Sequence, residues 1–191
     1  AESNGHRWGK QIFFMGIAIL GIGLFWMQKD HYKAYQQWNK AQMFYNNKAY
    51  EAALEVYEPL YPLLKHKPEF LFEAAQSLSK TGQYEKANEY LERAVLLSSD
   101  PMLYYVMAKN EQCLGEYRQA EKHLLHAIDI LPERIYPYYL LMNLYTEPSY
   151  FQPAKLKMAI DSVLTKKPKV ESSAIKEMKE KARSMLNNTS I

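Results

Sequence analysis

The stretches GQYEKANEYLERAVLL (residues 82–97) and GEYRQAEKHLLHAIDI (residues 115–130) decide the fold. Each opens on glycine, Gly82 or Gly115, and carries tyrosine two residues on, Tyr84 or Tyr117. Alanine follows three residues later (Ala87, Ala120), then leucine (Leu91, Leu124), then a second alanine (Ala94, Ala127). Steps of three and four residues place these side chains on one face of a helix. The glycines sit in a turn between two helical patterns. Outward from this pair the pattern recurs. Tyr50 lies 34 residues before Tyr84, which lies 33 before Tyr117, and Ala53, Tyr57 and Leu60 take the corresponding places. Pro68, Pro101 and Pro132 punctuate the ends. The chain is therefore a helix–turn–helix unit repeated at about 34 residues, which predicts an all-α array and no strands.

The Gly, Tyr, Ala and Ala positions of residues 82–97 and 115–130 resemble the second helix of the tetratricopeptide family. That resemblance implies an α-solenoid of about four hairpins: repeats at 34–67, 68–100, 101–134 and 135–168, within an array spanning 29–168. Repeat one departs from the pattern, with Lys48 where glycine is usual. Repeat four departs further: its turn reads EPSYFQP, with Pro148 and Pro153, between helical patterns at 136–145 and 154–164. Residues 169–191 supply a capping helix and a polar tail, with Ile175, Met178, Ala182, Met185 and Leu186 on one stripe. A single hairpin cannot bury its apolar face, so neighbours stack into a continuous core, and small alanines let the helices approach closely.

Ahead of the array, residues 12–27 read IFFMGIAILGIGLFWM, sixteen residues without a charge or an amide. Extended to Trp8, with Lys10 and Gln11 reaching outward, the run approaches the roughly 20 residues that a bilayer core requires. Trp8 and Trp26 stand where interfacial aromatics belong. Met27-Gln28-Lys29-Asp30 offers no small residues for signal cleavage, so the expectation is an uncleaved transmembrane helix at 11–28 after a polar flank at 1–10. Arg7 and Lys10 before the span, against Lys29, Lys33 and Lys40 after it, lean the repeats toward the cytoplasm. With no Gly or Pro between Gly23 and Pro59, the helix is expected to run on to Tyr45 or Asn46, with a turn at Asn46-Asn47-Lys48. The chain starts at Ala1 without Met, which fits either removal of Met or the tail of a longer protein.

Composition excludes several classes. Hydrophobic residues make up 48% and charged residues 24%, a globular balance. One cysteine, Cys113, removes disulfide frameworks and multi-cysteine metal sites, and is read as an inert, partly buried thiol. A net charge of +3 is too small to argue for nucleic acid. Residues 155–183 hold nine Lys/Arg against four Asp/Glu, either a solvated face or a contact for anionic lipid or an acidic partner. Catalytic constellations are missing: there is no Gly-x-Ser-x-Gly, phosphate-cradling glycine loop or His-Glu-x-x-His. The expectation is a non-enzyme without cofactor. His123 and His126 are three apart on a helix, but no third ligand is evident beside them, so no metal site is expected. Asn187 and Asn188 match short glycosylation sequons in a polar tail.

Binding is read from the first helices of the repeats, which in the tetratricopeptide family line a concave groove. Trp38, Phe72, Tyr105 and Tyr139 fall at one equivalent position; Gln42, Gln76, Lys109 and Asn143 follow four residues later. An aromatic row beside a row of amides and one amine suits an extended peptide through stacking and amide–backbone hydrogen bonds. It suits sugar rings and hydroxyls as well. The competing reading is that the aromatics are consensus packing residues.

YEPLYPLLKHKPEFLFEAAQSL, LSSDPMLYYVMAKNEQCLGEYRQAE, ILPERIYPYYLLMNLY and LTKKPKVESSAIKEMKEKARSML resemble the C-terminal tail of O-antigen ligase/polymerase-like membrane proteins of Bacteroides-type bacteria. The resemblance implies a parent in cell-surface polysaccharide assembly at the bacterial inner membrane, with its glycosyl-transfer chemistry in membrane loops outside this sequence. Two function classes follow: a membrane-tethered, non-enzymatic scaffold for a protein partner, or the regulatory or docking tail of a glycan ligase or polymerase.

Overall fold

The computed structural model describes residues 3–168 and 170–188, with side chains at 13–23, 28–168 and 170–187. Among the described residues it contains nine α-helices, one 3-10 turn and no strand. The fold is an all-helical solenoid of repeated hairpins, in two compact units that divide after Leu64.

The first unit holds α1 (Ser3–Asn46) and α2 (Tyr50–Leu64). Gly16, Gly21 and Gly23 do not interrupt α1, which is long and apolar enough to cross a membrane by length and composition. Phe13, Phe14, Met15, Ile17, Ile19, Leu20 and Ile22 are all exposed on it. Trp8, Trp26, Arg7 and Lys10 lie outside the described side chains, as do Lys169 and the tail at 189–191. The C-terminal half of α1 differs in kind: Ala34 and Ala41 are buried, and α2, which packs against this helix, buries Ala53, Leu54 and Tyr57. The turn comes at Asn47 and Lys48, where Lys48 takes a left-handed φ of 61°.

The second unit holds α3 (Pro68–Lys80), α4 (Tyr84–Val95), α5 (Pro101–Leu114), α6 (Tyr117–Ile130), α7 (Tyr136–Leu144), α8 (Pro153–Thr165) and α9 (Ser173–Asn188). Proline opens α3 and α5, where its missing N–H is no loss and its fixed φ suits the helix. Asp100 adds a cap to α5, its carboxylate accepting from Met102 N at 2.9 Å. Both α3–α4 and α5–α6 turn on a left-handed glycine, Gly82 at φ 80° and Gly115 at φ 78°. The helices then meet on alanine: Ala74, Ala75, Ala87, Ala94, Ala108, Ala120 and Ala127 are buried. A larger side chain at such a contact has no space to enter and would cost about 1–3 kcal/mol.

First helices form their own layer in this unit: α3 packs on α5, α5 on α7 and α7 on α9. Second helices α4 and α6 each pack between a hairpin partner and the next first helix. On α9, Ala182 is fully buried and Ile175, Met178 and Met185 pack against the core of repeats three and four. Leu186, assigned to the same stripe from the sequence, is exposed, because α9 covers α8 and α7 along only part of its face.

Candidate functional site

In the second unit the exposed edge of the first-helix layer is the candidate surface. Phe72 and Gln76 are both half-buried on α3, and Lys109 is exposed on α5. Tyr139 and Asn143, also half-buried, stand four residues apart on α7. Trp38 and Gln42 lie on α1 in the first unit, both half-buried; the ring of Trp38 rests tilted on Tyr35 at 5.9 Å. Lys109 has no carboxylate within ion-pair distance among the described residues.

Tyr105 corrects the aromatic row. Its side chain is only 4% exposed, and its ring stands edge-on to Tyr136 at 5.2 Å. The next first helix covers it, so it is a core residue with no face to offer a ligand. Burial pushes the hydroxyl pKa of Tyr105 above its ordinary value, and that of Tyr136 likewise. The polar row behaves differently. Gln76, Lys109 and Asn143 keep access to solvent, whereas the adjacent Asn110, turned inward, is buried and donates to Asn88 Oδ1 at 2.8 Å.

At Tyr139 and Asn143 a ligand group is already present, supplied by the chain. The Lys181 ammonium of α9 donates to Asn143 Oδ1 at 2.8 Å and lies 5.3 Å from the centre of the Tyr139 ring.

A second cluster ties repeat four to repeat three. Glu121 of α6 is a buried carboxylate held by three donors: Tyr145 Oη at 2.6 Å, Tyr150 Oη at 2.7 Å and Lys155 Nζ at 2.7 Å. Tyr145 and Tyr150 come from the long turn after α7, and the 3-10 turn Pro148–Tyr150 places the second of them. Tyr117 stacks on Tyr150 at 5.7 Å, and Gln112 Nε2 donates to Glu147 Oε1 at 2.8 Å. Burial works to raise the Glu121 pKa, but the bonds from Lys155, Tyr145 and Tyr150 outweigh it and hold the carboxyl below its ordinary 4.5. Burial and the same carboxylate raise both phenols, Tyr150 to about 12.

Two sequence expectations change here. His123 does have a carboxylate neighbour: its Nδ1 lies 2.8 Å from buried Glu111, a residue from the preceding helix that sequence spacing does not reveal. Tyr104 packs edge-on to His126 at 4.6 Å. Among the described residues no group of three His, Cys, Asp or Glu side chains gathers as a metal site. Cys113 is exposed rather than partly buried, because it sits at the solvent side of the last turn of α5. The neighbouring Cys113 side chain is the chief cause that raises the Tyr84 phenol above its ordinary pKa. Neither the Glu121 cluster nor the Glu111–His123 pair was found from sequence. The available signal was a charged residue on an apolar stripe: Glu121 directly follows Ala120 and precedes Leu124 by three.

Comparison with known proteins agrees with this architecture. The profile of the family "Anaphase-promoting complex, cyclosome, subunit 3" matches residues 46–127. A putative kinesin light chain of Podosopora anserina with nearly identical TPR-like repeats superposes with a TM-score of 0.60 at 17% identity, covering 82% of this chain and 88% of its own. MamA from Desulfovibrio magneticus RS-1 superposes with a TM-score of 0.59 at 16% identity, covering 83% of this chain and 78% of its own. The fold is that of TPR-like repeats. Among curated protein sequences, none matches the chain. At these identities the likeness extends to the fold alone.

Proposed function

We propose that the repeats are a non-enzymatic scaffold that holds an extended segment of a protein partner along the first-helix layer. The observation that carries the reading is the row Gln76, Lys109 and Asn143. Packing has no use for polar side chains at the same position of three successive first helices, and all three keep access to solvent. Amides and an amine can hydrogen-bond a peptide backbone regardless of its sequence, while Phe72 and Tyr139 supply apolar edges beside them. Tyr105 is excluded from the contact surface. The peptide reading is preferred over the glycan one, because burial of Tyr105 leaves no continuous aromatic platform for sugar rings.

The same proposal gives α1 the task of anchoring the repeats in a bacterial inner membrane, with the array on the cytoplasmic side. The exposed apolar residues from Phe13 to Ile22 support an anchor, and Lys29, Lys33 and Lys40 support the side. A setting in polysaccharide assembly, whether as scaffold or as the tail of a ligase or polymerase, rests on the sequence resemblance alone.

Two experiments test this. Membrane fractionation with N-terminal sequencing should recover the chain in membranes with residues 12–27 intact; a soluble form beginning after residue 27 would contradict the anchor. Replacing Gln76, Lys109 and Asn143 together by alanine should abolish partner capture from membranes while the helical signal persists. Undiminished capture by the folded triple variant would move the binding surface elsewhere, to the basic face at 155–183 first.

A further inference from the structure

The Tyr139–Asn143 end of the first-helix layer already shows what kind of group it takes. Tyr139 and Asn143 are one helical turn apart on α7, so an aromatic ring and a carbonyl oxygen face the same space. Into that space the chain places an ammonium. Lys181 Nζ donates to Asn143 Oδ1 at 2.8 Å, stands 3.5 Å from the Tyr139 hydroxyl and lies 5.3 Å from the ring centre. Ring face, phenol oxygen and amide oxygen are all electron-rich, a combination that selects a cation. Among the described residues no carboxylate lies within ion-pair distance of Lys181, so these neutral groups are its recorded partners.

Nothing in the packing of α9 depends on this contact. The helix is held by Ala182, which is fully buried, and by Ile175, Met178 and Met185 against the core, while Lys181 itself is exposed. A change of rotamer would carry the ammonium into water and vacate the subsite with the helix in place.

We propose that Tyr139 and Asn143 form a lysine-binding subsite of the groove, filled in the resting protein by Lys181, and that a partner segment enters by placing its own lysine there. The inference rests on the proposed use of the first-helix layer as a peptide groove. It names both the chemistry of the partner at repeat four and the internal group that competes with it. A lysine is selected over an apolar residue by the cation-selective lining, and Lys181 sets the threshold that any partner must exceed.

The test uses the full chain in detergent and an array of extended decapeptides. Each lysine-containing peptide is paired with a copy carrying norleucine, which keeps the stem and loses the charge. Binding is read for the unmodified chain, for Lys181→Ala, Lys181→Met and Asn143→Leu, and for Phe72→Ala at the other end of the layer. Melting curves accompany every variant, and Lys181→Met retains the stem along α9. Lysine peptides are expected to bind about two- to five-fold more tightly to both Lys181 variants, matching the strength of an exposed cation–π contact. Norleucine copies should bind weakly and ignore position 181, and Asn143→Leu should remove the preference for lysine. Peptides lost on Phe72→Ala but indifferent to lysine and to Lys181 would overturn the subsite and leave the groove standing. Binding indifferent to Phe72 as well, or absent throughout, would overturn both.

Discussion

The turns of repeats three and four do the same job by different physics. Between α5 and α6 two residues suffice: Gly115 takes a left-handed φ of 78°, and Glu116 N returns to Glu111 O at 2.8 Å. Between α7 and α8 the chain spends residues 145–152 and has no glycine. Its conformation is imposed from outside, by one buried carboxylate on α6 that gathers Tyr145, Tyr150 and Lys155. The previous repeat has Asn88 at the position of Glu121, and there a neutral amide takes a single amide, Asn110. A turn written into backbone conformation is local and tolerant. A turn written into side chains concentrates its stability in a few atoms, and makes repeat four depend on repeat three.

This contrast is broken most severely at Glu121. Glu121→Ala leaves two phenols and an ammonium without their common acceptor, and should destabilise the chain by about 3 kcal/mol. Thermal melting should show repeat four loosening, with proteolysis near Phe151 ahead of global unfolding. A loss below about 1 kcal/mol would mean that packing alone holds the long turn.

Acid reads out the same clasp more gently. The Glu121 carboxyl is held below its ordinary 4.5, so its contribution is present above that pH and is lost progressively as pH falls beneath it. At the alkaline end the sign reverses: Tyr150, raised from 10 to about 12, favours the fold below pH 10, and that gain disappears as pH rises through 12. Melting temperature against pH should fall at both ends, and the acid limb should flatten in Glu121→Gln. An unchanged acid limb would assign it to other carboxylates.

The glycine turn should respond less. A Cβ built on Gly115 meets nothing within 4 Å, so Gly115→Ala incurs only the left-handed backbone penalty, about 1 kcal/mol. Lys48→Gly relieves the corresponding penalty in repeat one and should stabilise by up to about 1 kcal/mol. If Gly115→Ala cost more than Glu121→Ala, the ranking of the two turns would be inverted.

How far the sequence could be read follows the same division. Whatever depends on local spacing was legible: the alanine and tyrosine stripes, the glycine turns, the prolines as punctuation between units. Lys48 was visible as a departure, and its left-handed φ shows that the repeat keeps its geometry even where the residue is unfavourable. Contacts between repeats were not legible. Spacing put Tyr105 beside Tyr139 as an equal member of one row, but only the packing of α7 on α5 shows that Tyr105 is buried while Tyr139 stays half-exposed. Glu121 and Lys181 were hidden for the same reason, since their partners lie 24 to 42 residues away on other elements.

The central claim is that the first-helix layer is where a partner lies, and a photo-crosslinking side chain tests it most directly without asking any variant to lose binding. The probe replaces Lys109, exposed on α5, or in a separate variant Glu92, exposed on α4. Irradiated in native membranes, the position 109 variant should give a discrete crosslinked adduct that an excess of unlabelled chain competes away, and the position 92 variant should give none. Adducts from position 92 alone, or equally from both positions, would contradict the account.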